Sequence, residues 1–480
     1  MTAINPNDLA TCLRVLEQAG ALPVDDPQSQ TLQHAVSKLF KEVKKTRRKA
    51  AKAARRAADA EILAATATAH PRRVDDETAG LLIQPRGQEP IALEVGAVAT
   101  PHGFAGKLRR PQNCYICKKP YTLVDSFHHQ LCPRCACDNR YRRQARVDLR
   151  GRRALLTGGR AKIGMYIALK LLRDGADLTI TTRFPKDAVR RFSAVADSDE
   201  WLDRLHIIGI DLRDPQRVSE LAEEVARKPL DILINNAAQT VRRSRDAYSL
   251  LVDGEAQPLS GRQRDVETLS LGVSTHPHPT ALLAGSNTSA TQIAKHVHQA
   301  LSAGNEIHGI DAGGLIPDMV SHNSWVAKVG EVDPIEMLEV QLCNATAPFI
   351  LMNRLRPALE AAPARRKYVV NVSAMEGVFG RGYKGAGHPH TNMAKAALNM
   401  LTRTSATELA SKGILVTAVD TGWITDERPQ TTKKRLAEEG FKAPLDLVDG
   451  AARVYDPIVQ GENGIDLYGC FLKDYRPHPW

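Results

Sequence analysis

Aromatic side chains are scarce in this chain, 5% of its 480 residues. The most basic stretch, Lys38 to Arg56, contains only Phe40. Stacking on bases needs several such rings, which argues against sequence-specific readout of nucleic acid. Long apolar runs are missing as well. None approaches the ~20 residues of a membrane-spanning helix, so no membrane association is expected. The N-terminal MTAINPNDLATCL lacks the basic-then-apolar order of a secretory leader. A cytoplasmic chain with reduced thiols is the expectation. Cysteine is sparse outside one stretch, for five of eight lie between Cys114 and Cys137. Clustered thiols in a reducing compartment indicate a metal more than disulfides. Acidic residues are the minority, 54 against 65 basic ones. The surplus is local, since Lys38 to Arg56 carries ten Lys or Arg and one acid, Glu42.

A chain of this length is expected to hold about two to three domains. Residues 1–70 read as a helical basic region. DLATCLRVLEQAG ends at Gly20, and Gln30 to Thr68 has few helix breakers. The basic helix over residues 38–56 has the charge to meet nucleic acid or an acidic protein without base readout. A solvated helical face is the plainer alternative. Residues 71–112, with Pro, Gly and little periodicity, read as a linker. Residues 113–145 hold the cysteines, and a long α/β region covers 150–475.

Cys114-x-x-Cys117 and Cys132-x-x-Cys135 are fourteen residues apart. Each pair sits on a tight turn that aims two thiolates at one ion, and four thiolates satisfy tetrahedral zinc. No position is left open, so the zinc is structural and supplies folding energy to a segment with little core. Cys137, His128 and His129 are read as bystanders. The module resembles zinc ribbons or treble-clef knuckles.

The strongest signal begins at RALLTGGRAKIG, residues 153–164. An apolar run reads as a buried strand, a glycine turn follows, and IGMYIALKLLRDG has helical spacing. That order lets a backbone approach a pyrophosphate at a helix N-terminus. DLTITTR (177–183), HIIGIDL (206–212), DILINNAA (231–238), KYVVNVSA (367–374) and ILVTAVDTGW (414–423) read as further strands. Helical stretches at 217–227 and 392–413 alternate with them, which indicates a doubly wound parallel sheet of Rossmann type. Thr157-Gly158…Gly164, Asp211, Asn235-Asn236-Ala237 and Lys395 make roughly residues 150–475 resemble the short-chain dehydrogenase/reductase family.

The resemblance implies a dinucleotide site at Thr157, Gly158, Arg160, Lys162, Ile163, Gly164, Thr182, Arg183, Asp211, Leu212, Asn236, Ala237 and Lys395. After its second strand the family places an acid for an unphosphorylated ribose. Here Thr182 stands there, followed by Arg183. A guanidinium binds a 2′-phosphate that a carboxylate repels, so NADP(H) is the expected cofactor. Lys162 replaces the middle glycine of the family's TGxxxGxG turn and adds charge beside the phosphates. The family's active-site asparagine corresponds to Asn344, more than a hundred residues after Asn236. The intervening 242–328 is therefore an insertion, expected to be a lid or unstructured. It includes one helical pattern, TSATQIAKHVHQALSAG.

Standard members use Asn, Ser, Tyr and Lys, and Lys395 matches the lysine. Thr391 stands where the tyrosine would, and a threonine hydroxyl is too weak an acid near neutrality. Ser373 is kept from Asn-x-Ser-Ser, but Ala374 replaces the second serine. GRGYKGAGHPHTNMAK offers substitute proton donors, His390 first, then Tyr383, then His388. The expected function is NADP(H)-dependent oxidation or reduction of an unspecified carbonyl or alcohol. The alternative is an inactive NADP(H)-binding sensor, or a nucleic-acid- or protein-binding scaffold. A small-molecule substrate and a second copy of the chain are the remaining expected partners.

Overall fold

Apolar runs of four to seven residues build the centre of the molecule, and the three at its middle are buried along their whole length. Such strands are covered on both faces, as parallel sheets are. The computed structural model describes residues 4–23, 25–70, 81–83, 103–272, 307–318 and 320–480. In chain order the strands are β1 (Leu81–Ile83), β2 (Phe104–Asn113), β3 (Pro120–Asp125), β4 (Arg153–Leu156) and β5 (Asp177–Thr182). Then come β6 (Leu205–Gly209), β7 (Ile232–Asn235), β8 (Thr268–Ser270) and β9 (Ile307–Ile310). β10 (Lys367–Ser373), β11 (Ile414–Asp420), β12 (Phe471–Lys473) and β13 (Arg476–His478) complete them.

Among the described residues the main sheet has nine strands in the order β13-β12-β11-β10-β7-β4-β5-β6-β8. Every pairing is parallel except β12 with β13. Helices Lys162–Arg173 and Leu447–Glu462 cover one face, through Ile167, Leu171, Val454 and Ile458. Helices Pro215–Val225, Ala347–Ala361 and Pro389–Ala410 cover the other, through Leu221, Leu351 and Ala406. The doubly wound α/β reading is therefore correct. Strand order reverses between β4 and β7, and a ligand crevice belongs at that point. No helix of the described residues is long and apolar enough to cross a membrane.

The insertion is more than a lid. Its first part adds helix Ser249–Ala256 and β8, which extends the sheet beyond β6. Its last part pairs β9 with β1 and returns across the glycine turn. The helical pattern TSATQIAKHVHQALSAG lies outside the described residues.

The linker reading of 71–112 needs correction at its end. β2 runs antiparallel to β3, so the cysteine module starts near Phe104. Only Leu108 of β2 is buried, which is why no alternation marked it as a strand. Two helices, Pro6–Gly20 and Pro27–Ala64, precede the module. The second is moored at its C-terminal end. The Asp59 carboxylate accepts backbone N–H bonds from Arg109 (2.7 Å) and Arg110 (3.2 Å), and Ile62 and Leu63 join the module's core. Its basic residues 38–56 are exposed.

The module is not a separate bead. Leu108, Cys114, Val124 and Leu131 share one core with Ile424, Leu445 and Leu447 of the sheet domain. Buried polar groups join the two parts. Asn139 donates to Asp449 (2.7 Å), and Arg143 pairs with Asp446 (2.5 Å) and Asp449 (2.9 Å). His128 Nε2 lies 3.1 Å from Asp449. Removing one partner of such a buried ionic group costs ~3–5 kcal/mol.

Candidate active site

The C-terminal ends of the central strands open into a cavity of about 1040 Å3. Its floor is the glycine turn after β4. Gly158 has φ +69°, and a Cβ there would lie 3.0 Å from the Ala237 backbone. At Gly164 a Cβ would lie 2.0 Å from the Gly158 carbonyl oxygen. Only glycine fits either place. Thr157 does not line the cavity but ties the turn to β7. Its Oγ1 accepts from the Asn236 and Ala237 N–H groups, both at 3.0 Å. The Asn236 amide donates to the carbonyls of Thr157 and Gly158.

Lys162 retains the left-handed backbone, φ +55°, that explains a glycine at its position. Its ammonium is 3.3 Å from Asp311 of the returning insertion. Arg160 pairs with Asp187 and donates to the Gly313 carbonyl at 2.7 Å. Both basic residues of the turn are thus engaged by protein groups, an arrangement the expectation of free phosphate ligands did not include.

At the next strand end Arg183 is enclosed between Phe184 and Tyr248, and it donates to the Tyr248 hydroxyl at 3.2 Å. Thr182 accepts the Phe184 N–H at 3.0 Å. The Asp211 carboxylate is gripped by Arg213, with contacts of 2.5–3.2 Å. Its pKa is lowered: burial opposes this, but Arg213 and Arg183 outweigh it. Asp211 and Leu212 both line the cavity.

At the opposite end Thr391 and Lys395 line the cavity one helical turn apart. The Thr391 hydroxyl is buried with no hydrogen-bond partner. Lys395 donates to the Val372 carbonyl at 2.8 Å, and burial lowers its pKa to about 8. Gly377 lets the preceding turn touch this helix, since a Cβ there would lie 2.5 Å from the Lys395 backbone.

These features agree with wider comparisons. Residues 152–251 match the model described as short chain dehydrogenase, and residues 280–445 match the one described as enoyl-(acyl carrier protein) reductase. A mimivirus protein of Acanthamoeba polyphaga mimivirus, uncharacterized protein R665, is 32% identical over 358 residues, covering 72% of this chain and 71% of that one. The chain belongs to the short-chain dehydrogenase/reductase family. A probable oxidoreductase of Streptomyces lividans is 38% identical over 91 residues, which are 19% of this chain and 30% of that one. The Pseudomonas aeruginosa RhlG/NADP active-site complex is 20% identical, with a TM-score of 0.42, covering 68% of this chain and 95% of that one.

Set against the family's usual roles, several expected residues are diverted. Asn344 lies on a π-helical turn, Leu342–Thr346. Its amide clamps the Gln239 backbone from both sides, at 2.7 and 2.8 Å, and does not line the cavity. Ser373 lines it, but its hydroxyl donates to Asn399 at 2.5 Å. The substitute proton donors do not reach the cavity. His390 is buried with both ring nitrogens unpartnered. Burial lowers its pKa, and Glu336 only partly offsets this. Tyr383 is 79% exposed on the preceding loop. His388 stacks on Trp325 at 3.9 Å and contacts that residue's carbonyl through Nδ1 at 2.8 Å. Pro389 opens the helix Pro389–Ala410, with His388 as its N-cap residue, so His388 and His390 lie at the helix entry.

Other cavity residues had no readable signal. Tyr248 comes from the insertion, Trp325 from its end, Trp423 from the loop after β11, and Tyr115 and Lys118 from the cysteine turn. Only folding brings them together. The four sulfurs of Cys114, Cys117, Cys132 and Cys135 lie within 4.8 Å of one another, and among the described residues no other group joins them. His128 and His129 are occupied elsewhere, by Asp449 and Thr68.

Proposed function

We propose that the chain is an NADP(H)-dependent oxidoreductase that interconverts a carbonyl and an alcohol, with Thr391 and Lys395 doing the work of the missing tyrosine. One observation carries this reading: a buried, unpartnered hydroxyl and a buried ammonium share a helix face at the reaction end of the cavity. The turn at Gly158 and Gly164 suits a dinucleotide, because backbone packs on backbone there and only glycine permits so tight a turn before the helix. Arg183, with no carboxylate at Thr182, favours the 2′-phosphorylated form.

Bound NADP(H) supplies the hydride. The Thr391 hydroxyl would donate a hydrogen bond to the substrate carbonyl oxygen and pass on its proton only as it takes one from Lys395, so that no threonine alkoxide forms. Lys395, which would leave the Val372 carbonyl for this step, is the net acid and ends as a neutral amine. Burial favours that loss, since a desolvated ammonium sheds its proton more readily than one in water. Asn344 holds the Gln239 backbone, and Ser373 with Asn399 holds the turn that meets Lys395. The four cysteines would hold one zinc that fixes the turn bearing Tyr115.

NADPH oxidation against a panel of aldehydes and ketones tests the reading, alongside fluorescence titration of NADPH. Turnover by wild type and its loss in Thr391→Val supports it. Thr391 in place of tyrosine favours a second reading, a sensor that binds without turnover. Tight NADPH binding with no substrate consumed selects that one. Elemental analysis should find about one zinc per chain in protein purified without chelator, and none in a variant with all four cysteines changed to serine.

A further inference from the structure

The cysteine turn forms part of the cavity wall, and this carries a statement about the substrate. Tyr115 lies between the paired cysteines, and its hydroxyl accepts the Trp423 N–H at 2.8 Å. Gly422 beside it has φ +79°, and a Cβ there would lie 2.6 Å from the Leu445 side chain. The turn is fixed on both sides: Lys118 N–H donates to the Cys114 carbonyl (3.0 Å), Cys114 N–H to Lys119 (2.9 Å), and Tyr115 N–H to Gln130 (2.8 Å). Lys118 then takes φ +61°, a left-handed conformation that lysine rarely adopts.

The charges at this end of the cavity are not equivalent. Arg381 pairs with Glu376 at 3.4 Å. Lys473 pairs with Asp420 at 3.3 Å and Asp474 at 3.8 Å. Lys395 is committed to the Val372 carbonyl. Lys118 is different. Its ammonium meets the Tyr115 carbonyl and lies 4.9 Å from the Tyr115 ring centroid, and among the described residues no carboxylate pairs with it. It is an exposed cation at the cavity wall.

We propose that Lys118 anchors a carboxylate on the substrate, so that the metal-binding turn selects anionic carbonyl compounds such as keto acids. The inference rests on the reductase reading and names the substrate class for that same site. Tyr115 and Trp423 form the apolar wall beside the anchor. The cysteine module is in this sense part of the substrate site and not a recognition module of its own.

The test uses the full chain loaded with NADP+ and two probes, phenylglyoxylate and its uncharged methyl ester. Trp325 and Trp423 line the cavity, so quenching of tryptophan fluorescence reads binding. Lys118→Ala should weaken phenylglyoxylate by about tenfold or more, the scale of one charge-assisted hydrogen bond. The ester should change by less than about twofold. Lys118→Arg should restore most of the loss. Equal weakening of both probes, or wild type that binds NADPH but not phenylglyoxylate, overturns the proposal while leaving the reductase reading intact. Wild type that binds neither NADP+ nor NADPH overturns both. NADPH affinity of Lys118→Ala, from the cofactor's own fluorescence, reports whether that variant is folded.

Discussion

The two ends of the cavity are built by different means. The phosphate end is made of backbone: Gly158, Gly164, and the Thr157–Asn236 ties that hold their carbonyls. Its shape follows from the absence of side chains at Gly158 and Gly164. The reaction end is made of side chains from distant segments: Thr391 and Lys395 on one helix, Tyr115 on the cysteine turn, Trp325 on the insertion, Trp423 after β11. There Thr391 and Ala374 stand where the resemblance implies a tyrosine and a second serine. A site formed by backbone tolerates few changes, because each added atom meets a main chain that cannot move. A site formed by side chains can be rebuilt from new parts.

Breaking the reaction end should have the largest effect on turnover and little on the fold. Lys395→Met should lower the reduction rate by about 10²- to 10⁴-fold, the usual worth of a proton-transferring group. Thermal stability should hold or rise, since a desolvated charge is removed. Rates measured against pH sharpen the assignment. Burial lowers the Lys395 pKa to about 8. The ammonium is present below that value and lost above it. Reduction should therefore fall as pH rises through about 8, and a profile flat to pH 10 would exclude Lys395 as the proton source.

Breaking the phosphate end should act on binding. Gly164→Ala forces a Cβ to within 2.0 Å of a carbonyl oxygen, an overpacking that costs ~1–3 kcal/mol. NADPH affinity should fall correspondingly, as calorimetry would show. Arg183→Ala is a milder change at the same end. It should weaken NADPH by about tenfold and NADH by much less, reflecting one charged contact to phosphate. Equal affinities of wild type for the two cofactors would refute the charge argument.

The smallest effects mark the boundary of the reaction end. His390→Ala and Tyr383→Phe should each change turnover by less than about twofold, since neither side chain lines the cavity. A large loss in either variant, with NADPH binding intact, would return that residue to the mechanism.

The same contrast decides how much was legible beforehand. Strand–turn–helix patterning and the glycine spacing are local, so β4, the turn and helix Lys162–Arg173 were readable from residues 153–173 alone. The four-cysteine convergence was readable for the same reason, because spacing within a turn fixes direction. Nearness in sequence to Thr391 is what points to His390. Neighbours on a helix point about 100° apart, and that rotation carries His390 away from the cavity. The place of Lys162 in the turn points to a phosphate, whereas its partner Asp311 stands 149 positions later in a segment without periodicity. Tyr115 and Lys118 had no signal at all. Their role depends on docking between the module and the loop after β11, a contact that no local pattern encodes.

The seam between the cysteine module and helix Leu447–Glu462 also sets an order of events. Asn139 and Asp449 are 310 positions apart. At ordinary rates of synthesis the ribosome needs about 15 to 60 s to pass from one to the other. Throughout that interval the module has its cysteines but not the acids that seat Arg143 and His128. Metal capture can therefore precede full docking of the wall that carries Tyr115. A nascent chain stopped before Asp446 would hold its cysteine module through Trp423, Ile424 and Leu445, without the buried acids that complete the seam.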